Sequence, residues 1–103
     1  MSALIWSPFA DKAQVTEVAK TLLDEQLIAC VNLITIDSIF LWQGKIDEAA
    51  ECAALFKTDA DLLDQAVQRI EELHPYETPA VLGWKCDSAA KATKAWLGAL
   101  GLE

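Results

Sequence analysis

The sequence predicts an α+β fold in the order β-α-β-β-α-β with a further helix at the C-terminal end. Three observations carry this expectation. Two segments have the three-and-four spacing of apolar residues that marks a helix with one buried face. Between them lies a fifteen-residue run, Ile28 to Trp42, rich in β-branched side chains and free of Gly and Pro, which meets a glycine turn. Short apolar runs suited to strands open the chain and follow the second helical segment.

Ala3 to Trp6 reads as the first strand, cut by Pro8. Lys12 to Gln26 reads as a helix with Val15, Val18, Ala19, Leu22 and Leu23 on one face and Asp11 as N-cap. Ile28 to Trp42 is one arm of a long hairpin, Gln43-Gly44-Lys45 its turn, and about Ala49 to Thr58 the return strand. Asp61 to Leu73 carries Leu62, Leu63, Ala66, Val67, Ile70 and Leu73 toward a core, with acidic residues in its first turn. Ala80 to Cys86 is the last strand, and Ser88 is placed to cap a helix with Ala92, Trp96 and Leu100. This order is the split βαβ, or ferredoxin-like, plan.

The 103 residues form a single domain, 1–103, in which only about two-thirds of the unfolded surface can be buried. A 53% hydrophobic and 23% charged composition excludes a disordered chain. A formal charge of −8 disfavours nucleic acid, whose phosphates need clustered Lys and Arg. No apolar stretch is long enough to span a bilayer, and Met1 to Asp11 lacks a basic leader, so the expected compartment is the cytoplasm. Cys30, Cys52 and Cys86 are odd in number and widely spaced, which fits free thiols better than a disulfide framework.

The arm has a consequence for assembly. Fifteen extended residues span roughly 50 Å, whereas a compact domain of this length is roughly 35 Å across. The arm must bend or overrun its own domain. Both of its faces are apolar, Val31, Leu33, Ile39 and Leu41 on one and Ile28, Cys30, Ile34, Ile36, Phe40 and Trp42 on the other. Helices cover one face of such a sheet, so the other predicts a homo-oligomer in which arms reach a neighbour. Asn32, Thr35, Asp37 and Ser38 interrupt the apolar surface and are candidate positions for a bulge.

Chemistry concentrates in Glu72-Leu73-His74-Pro75-Tyr76-Glu77-Thr78-Pro79. Pro75 ends the helix and pushes His74 toward extended geometry. An imidazole there suits the carbonyls at the helix end. Together with a soft thiolate it would suit copper or zinc, and Cys30 is the candidate thiol. Trp42 and Lys45 lie at the arm tip, where a neighbouring subunit would turn them into a wall of a cleft, with Glu51, Lys57 and Glu77 as its polar ring. No phosphate loop, nucleophile elbow or paired metal-binding carboxylate motif is present, and no spacing ties Cys30, His74, Tyr76 and Glu77 into a catalytic set. The expectation is a non-enzymatic protein.

Ala29-Cys30-Val31-Asn32, Ser38 followed by Trp42-Gln43-Gly44-Lys45-Ile46, Glu51, Lys57-Thr58 and His74-Pro75-Tyr76-Glu77-Thr78-Pro79 together resemble the CutA divalent-cation-tolerance family, over nearly the whole chain and in order. The resemblance implies a homotrimer of ferredoxin-like subunits, similar to the PII signal-transduction proteins, with hairpins pairing between subunits. It connects His74 with metal, and it aligns Trp42, Lys45, Glu51, Lys57, Tyr76 and Glu77 with the intersubunit cleft. The chain departs from the family pattern at Ser7, Leu73, Phe40, Leu41 and Ala80, where relatives often carry other residues. Its implied function is divalent cation tolerance or metal homeostasis, with copper or another divalent metal as candidate ligand and no obligatory cofactor. The alternative is a PII-like regulatory trimer that binds a small polar ligand in its clefts and contacts a protein partner the sequence does not identify.

Overall fold

A computed structural model describes residues 1–102; Glu103, the last residue of the expected domain, lies outside them. Strand β1 (Ser2–Phe9) leads to helix α1 (Lys12–Asp24), the hairpin β2 (Cys30–Trp42) and β3 (Lys45–Asp59), a 3-10 turn (Ala60–Leu62), helix α2 (Leu63–Leu73), strand β4 (Leu82–Lys85) and helix α3 (Lys91–Gly98). The four strands form one antiparallel sheet in the order β2-β3-β1-β4. The expected α+β class and element order hold.

The sheet is covered by helices on one face. Ala3, Ile5, Ser7 and Phe9 alternate along β1 with no exposed surface, and Ala3, Ile5 and Phe9 pack with Val15, Ala19 and Leu22 of α1 and Leu63, Ala66 and Ile70 of α2. At Gly83 of β4, α2 approaches so closely that a β-carbon would lie 2.8 Å from Leu63 Cδ1 and 3.1 Å from Val67 Cγ2. Helix α3 packs on β1 and β3 and buries Leu97 outside this principal cluster.

Several boundaries differ from the sequence-based expectations. β1 runs through Pro8 because β4 pairs only with Ala3 to Trp6, so Pro8 lies where the β4 side of β1 is open and no ladder donor is required. β3 begins at Lys45, before the expected Ala49, because Gln43 (φ 51°) and Gly44 (φ 78°) form a two-residue turn whose left-handed geometry lets Trp42 pair with Lys45 at once. α1 ends at Asp24 in a Schellman-type cap, with Gln26 left-handed, its N–H donating to Leu23 O and the Leu27 N–H to Leu22 O. Asp11 caps α1 as expected, accepting from the Gln14 N–H at 2.9 Å. Ser88 does not cap α3, which opens at Ala90 with no side-chain capping bond.

The arm overruns the body. Thirteen paired residues of β2 extend roughly 43 Å, close to the 44 Å long axis of the molecule, against 26 and 21 Å for the other two. Register is unbroken from Cys30 opposite Lys57 to Trp42 opposite Lys45, so no bulge interrupts the hairpin at Asn32, Thr35, Asp37 or Ser38. No helix among the described residues is long and apolar enough to cross a membrane.

Candidate functional site

The site grows from the gap that β4 leaves beside the end of β1. Past Trp6 that edge has no strand partner, and the segment from His74 to Ala80 folds into the space instead. Pro75 holds His74 extended (φ −68°, ψ 132°), while the His74 N–H still closes α2 on Ile70 O at 2.9 Å. The imidazole is thereby turned back over β1. Its Nε2 lies 2.9 Å from Pro8 O, and its Nδ1 3.2 Å from the Tyr76 backbone nitrogen. An amide N–H can only donate, so Nδ1 is the acceptor and Nε2–H donates to the Pro8 carbonyl, which fixes a neutral ring in one tautomer. The ring stacks on Phe9 at 3.9 Å between centroids and is 7% exposed. Burial holds its pKa below the ordinary imidazole value, against the opposing pull of the Pro8 carbonyl and the Glu51 carboxylate. At the other end of the segment, Ser7 Oγ donates to Ala80 O at 2.7 Å.

Tyr76 follows from this anchoring. Its ring lies 4.7 Å from the imidazole, and its hydroxyl donates to Glu51 Oε2 of β3 at 2.6 Å. Burial, then the bond to Glu51 and the charges of Glu51 and Asp11, raise the phenol pKa, so Tyr76 is a neutral donor throughout the physiological range. Between this corner and the arm lies a cavity of about 520 Å³. Pro8, Phe40, Leu41 and Trp42 give it apolar walls, and Glu51, Tyr76, Glu77, Ser38 and Thr78 give it oxygen atoms.

Of the cleft residues expected from the sequence, Trp42, Glu51, Tyr76 and Glu77 meet at this cavity. Lys45 and Lys57 do not line it. Lys45 sits at the turn, opposite Trp42, and Lys57 lies six residues along β3 from Glu51, roughly 20 Å away. Ser38 and Phe40 share Trp42's face by the two-residue strand period, a signal present in the sequence. Pro8 and Ala80 come from distant segments and carried no such signal.

The structure does not bring Cys30 to His74. Cys30 is level with Leu4 and Lys57, whereas Phe9, under the imidazole, is level with Cys52 and Thr35, five residues and roughly 17 Å along the sheet. Row parity also puts Cys30 on the face opposite Phe9. The thiol and imidazole therefore form neither a catalytic pair nor a shared ligand set. Among the described residues no three His, Cys, Asp or Glu side chains cluster to hold a metal ion. His74 has no free nitrogen to offer one unless a backbone bond opens. Nor does it serve the C-terminal carbonyls of its own helix, because the ring is bonded to β1.

The family model described as CutA1 divalent ion tolerance protein matches residues 3–99. The chain is 39% identical over 94 residues to the Divalent-cation tolerance protein CutA of Pyrococcus horikoshii, covering 91% of this chain and 92% of that one. It is 35% identical over 94 residues to the protein of the same name from Thermotoga maritima, covering 91% and 93%. Among solved structures, the periplasmic divalent cation tolerance protein CutA from Archaeoglobus fulgidus superposes with a TM-score of 0.90 at 30% identity, covering 95% of this chain and 96% of that one.

Proposed function

The chain belongs to the CutA1 divalent ion tolerance family, and from that premise we propose that it serves divalent cation tolerance in the cytoplasm as a non-enzymatic homotrimer joined through its hairpin arms. The arm carries this reading. Ile39, Leu41 and Ile46 are 72%, 71% and 79% exposed in a single chain, a concentration of apolar surface that assembly would bury. Three free thiols suit a reducing compartment. The separation of Cys30 from His74 supports a protein that catalyses no thiol chemistry.

In this reading copper or another divalent ion is a weakly held ligand, not a cofactor fixed by His74. The support is the bonding of the imidazole, whose two nitrogens are engaged by the backbone of β1 and of Tyr76. Calorimetric titration of the reduced, metal-free protein with Cu(I), Cu(II) and Zn(II), beside a His74→Ala variant checked for folding by circular dichroism, tests it. Weak heats that survive the substitution are expected. Submicromolar binding at one ion per subunit, lost in His74→Ala, would overturn it.

A second reading is a regulatory trimer that takes a small polar ligand; its support is the cavity of about 520 Å³, whose size and mixed apolar and oxygen lining suit a small molecule. A ligand whose binding is abolished by Glu51→Gln and by Tyr76→Phe, with no measurable ion binding, would move the assignment there.

A further inference from the structure

His74 is the sole histidine of the chain, and it is placed where a proton would change the structure. Neutral, it joins three segments: Nε2–H to the Pro8 carbonyl of β1, Nδ1 from the Tyr76 N–H of the corner, and its ring face on Phe9. A proton taken from solvent must go to Nδ1, the one nitrogen with a free lone pair, and that nitrogen faces a donor. Two N–H groups cannot share a hydrogen bond, so the Tyr76 amide must turn away while Nε2–H keeps its bond to Pro8. Tyr76 is also the residue whose hydroxyl holds Glu51 at the cavity.

We infer that His74 is an acid-operated latch on the cavity: protonation at Nδ1 releases the Tyr76 amide and frees the corner wall that Tyr76, Glu77 and Thr78 form. The inference concerns the wall itself and holds whatever the cavity binds. The charges around the ring set its balance. From β3, Glu51 favours the proton. β1 presents Pro8 and Phe9, which carry no charge. Asp11, at the start of α1, acts on Tyr76. The last turn of α2 carries Glu71 and Glu72, both exposed, the latter bonded to Arg69. Against Glu51 stands burial of the ring, which disfavours charge, so the latch stays closed at neutral pH and opens on acidification.

The test is an NMR titration of the nitrogen-15-labelled protein from pH 8 to the onset of acid unfolding, following both imidazole nitrogens and the Tyr76 amide. At pH 8 the ring should carry its proton on Nε2. On acidification the Tyr76 amide resonance should shift with the midpoint of the ring and lose its protection from hydrogen exchange, and a His74→Gln variant should lack that transition. With one histidine in the chain, the wild-type titration decides even where the variant folds poorly. A ring protonated on Nδ1 at pH 8, a Tyr76 amide that stays put while the ring titrates, or a ring that remains neutral until the whole protein unfolds would each overturn the latch.

Discussion

The hairpin is one continuous ladder in two environments. Over the body, β3 carries Cys52, Ala53, Ala54, Phe56, Thr58 and Asp59 buried, beneath helices and beside β1. Along the arm, from Lys45 to Ala50, the same strand has no fully buried residue, and β2 has none anywhere along its length. The β2–β3 ladder is the same in both parts, but over the body β3 also pairs with β1 whereas along the arm it pairs with β2 alone, so the parts differ in their strand neighbours and in what covers the sheet. The lesson is that paired backbone specifies a strand without stabilising it, since an isolated two-stranded ribbon is marginal in water. The body supplies its own cover from α1 and α2, whereas the arm leaves Ile39, Leu41 and Ile46 exposed, the surface that the proposed assembly would bury.

The sharpest way to break this comparison is to make one cavity on each side of the boundary. Phe56→Ala, in the body, should cost about 3–5 kcal/mol, with a denaturation midpoint shift that is the same at every protein concentration. Ile39→Ala, in the arm, should shift the midpoint in a way that depends on concentration, because it acts through assembly. Equal, concentration-independent shifts would erase the distinction. Next in size is Gly83→Val, which drives a side chain into Leu63 and Val67 under α2. Overpacking of this kind costs about 1–3 kcal/mol, and thermal unfolding should report it with no loss of subunits.

The corner joins body to arm and should respond to pH. His74 titrates lower in the folded chain than in the unfolded one, so the unfolded chain binds the proton first as pH falls. Its contribution is fully present above the ordinary imidazole pKa, about 6.5, and is lost as pH falls from there through the folded value. Denaturant unfolding at pH 7.5 and at pH 5 should show this loss in the wild type and much less of it in His74→Gln; equal losses would locate the effect in carboxylates. The smallest effect belongs to the surface. Arg69 grips Glu25 through two 2.8 Å bonds, tying the end of α1 to α2. Because the pair is exposed, Glu25→Ala should lower the melting temperature only slightly, and by less in high salt.

Most of the body was legible because its helices keep their apolar spacing and its caps use ordinary chemistry, as at Asp11. The misses have local causes. Pro8 reads as a strand end until it is known that β4 pairs no further along β1 than Trp6, and the charged residues Asp47 and Glu48 fell outside the expected return strand although a two-residue turn commits them to the ladder. In the cavity, Trp42, Glu51, Tyr76 and Glu77 were legible as a group through the family motifs. Cys30 and His74 were paired only by donor chemistry, and no spacing in the sequence could reveal that they lie on opposite faces. The partner of the imidazole was hidden for the same reason: it is a backbone carbonyl 66 residues away, and a carbonyl has no side-chain signature.

Whether the arm is built for another copy of this chain is decided by light scattering after size exclusion at micromolar concentration, with wild type beside an Ile39→Glu, Ile46→Glu double variant. The wild type should show three times the chain mass, and the variant a lower mass with an unchanged circular dichroism spectrum. A wild type that elutes as a stable monomer would contradict an arm built for assembly.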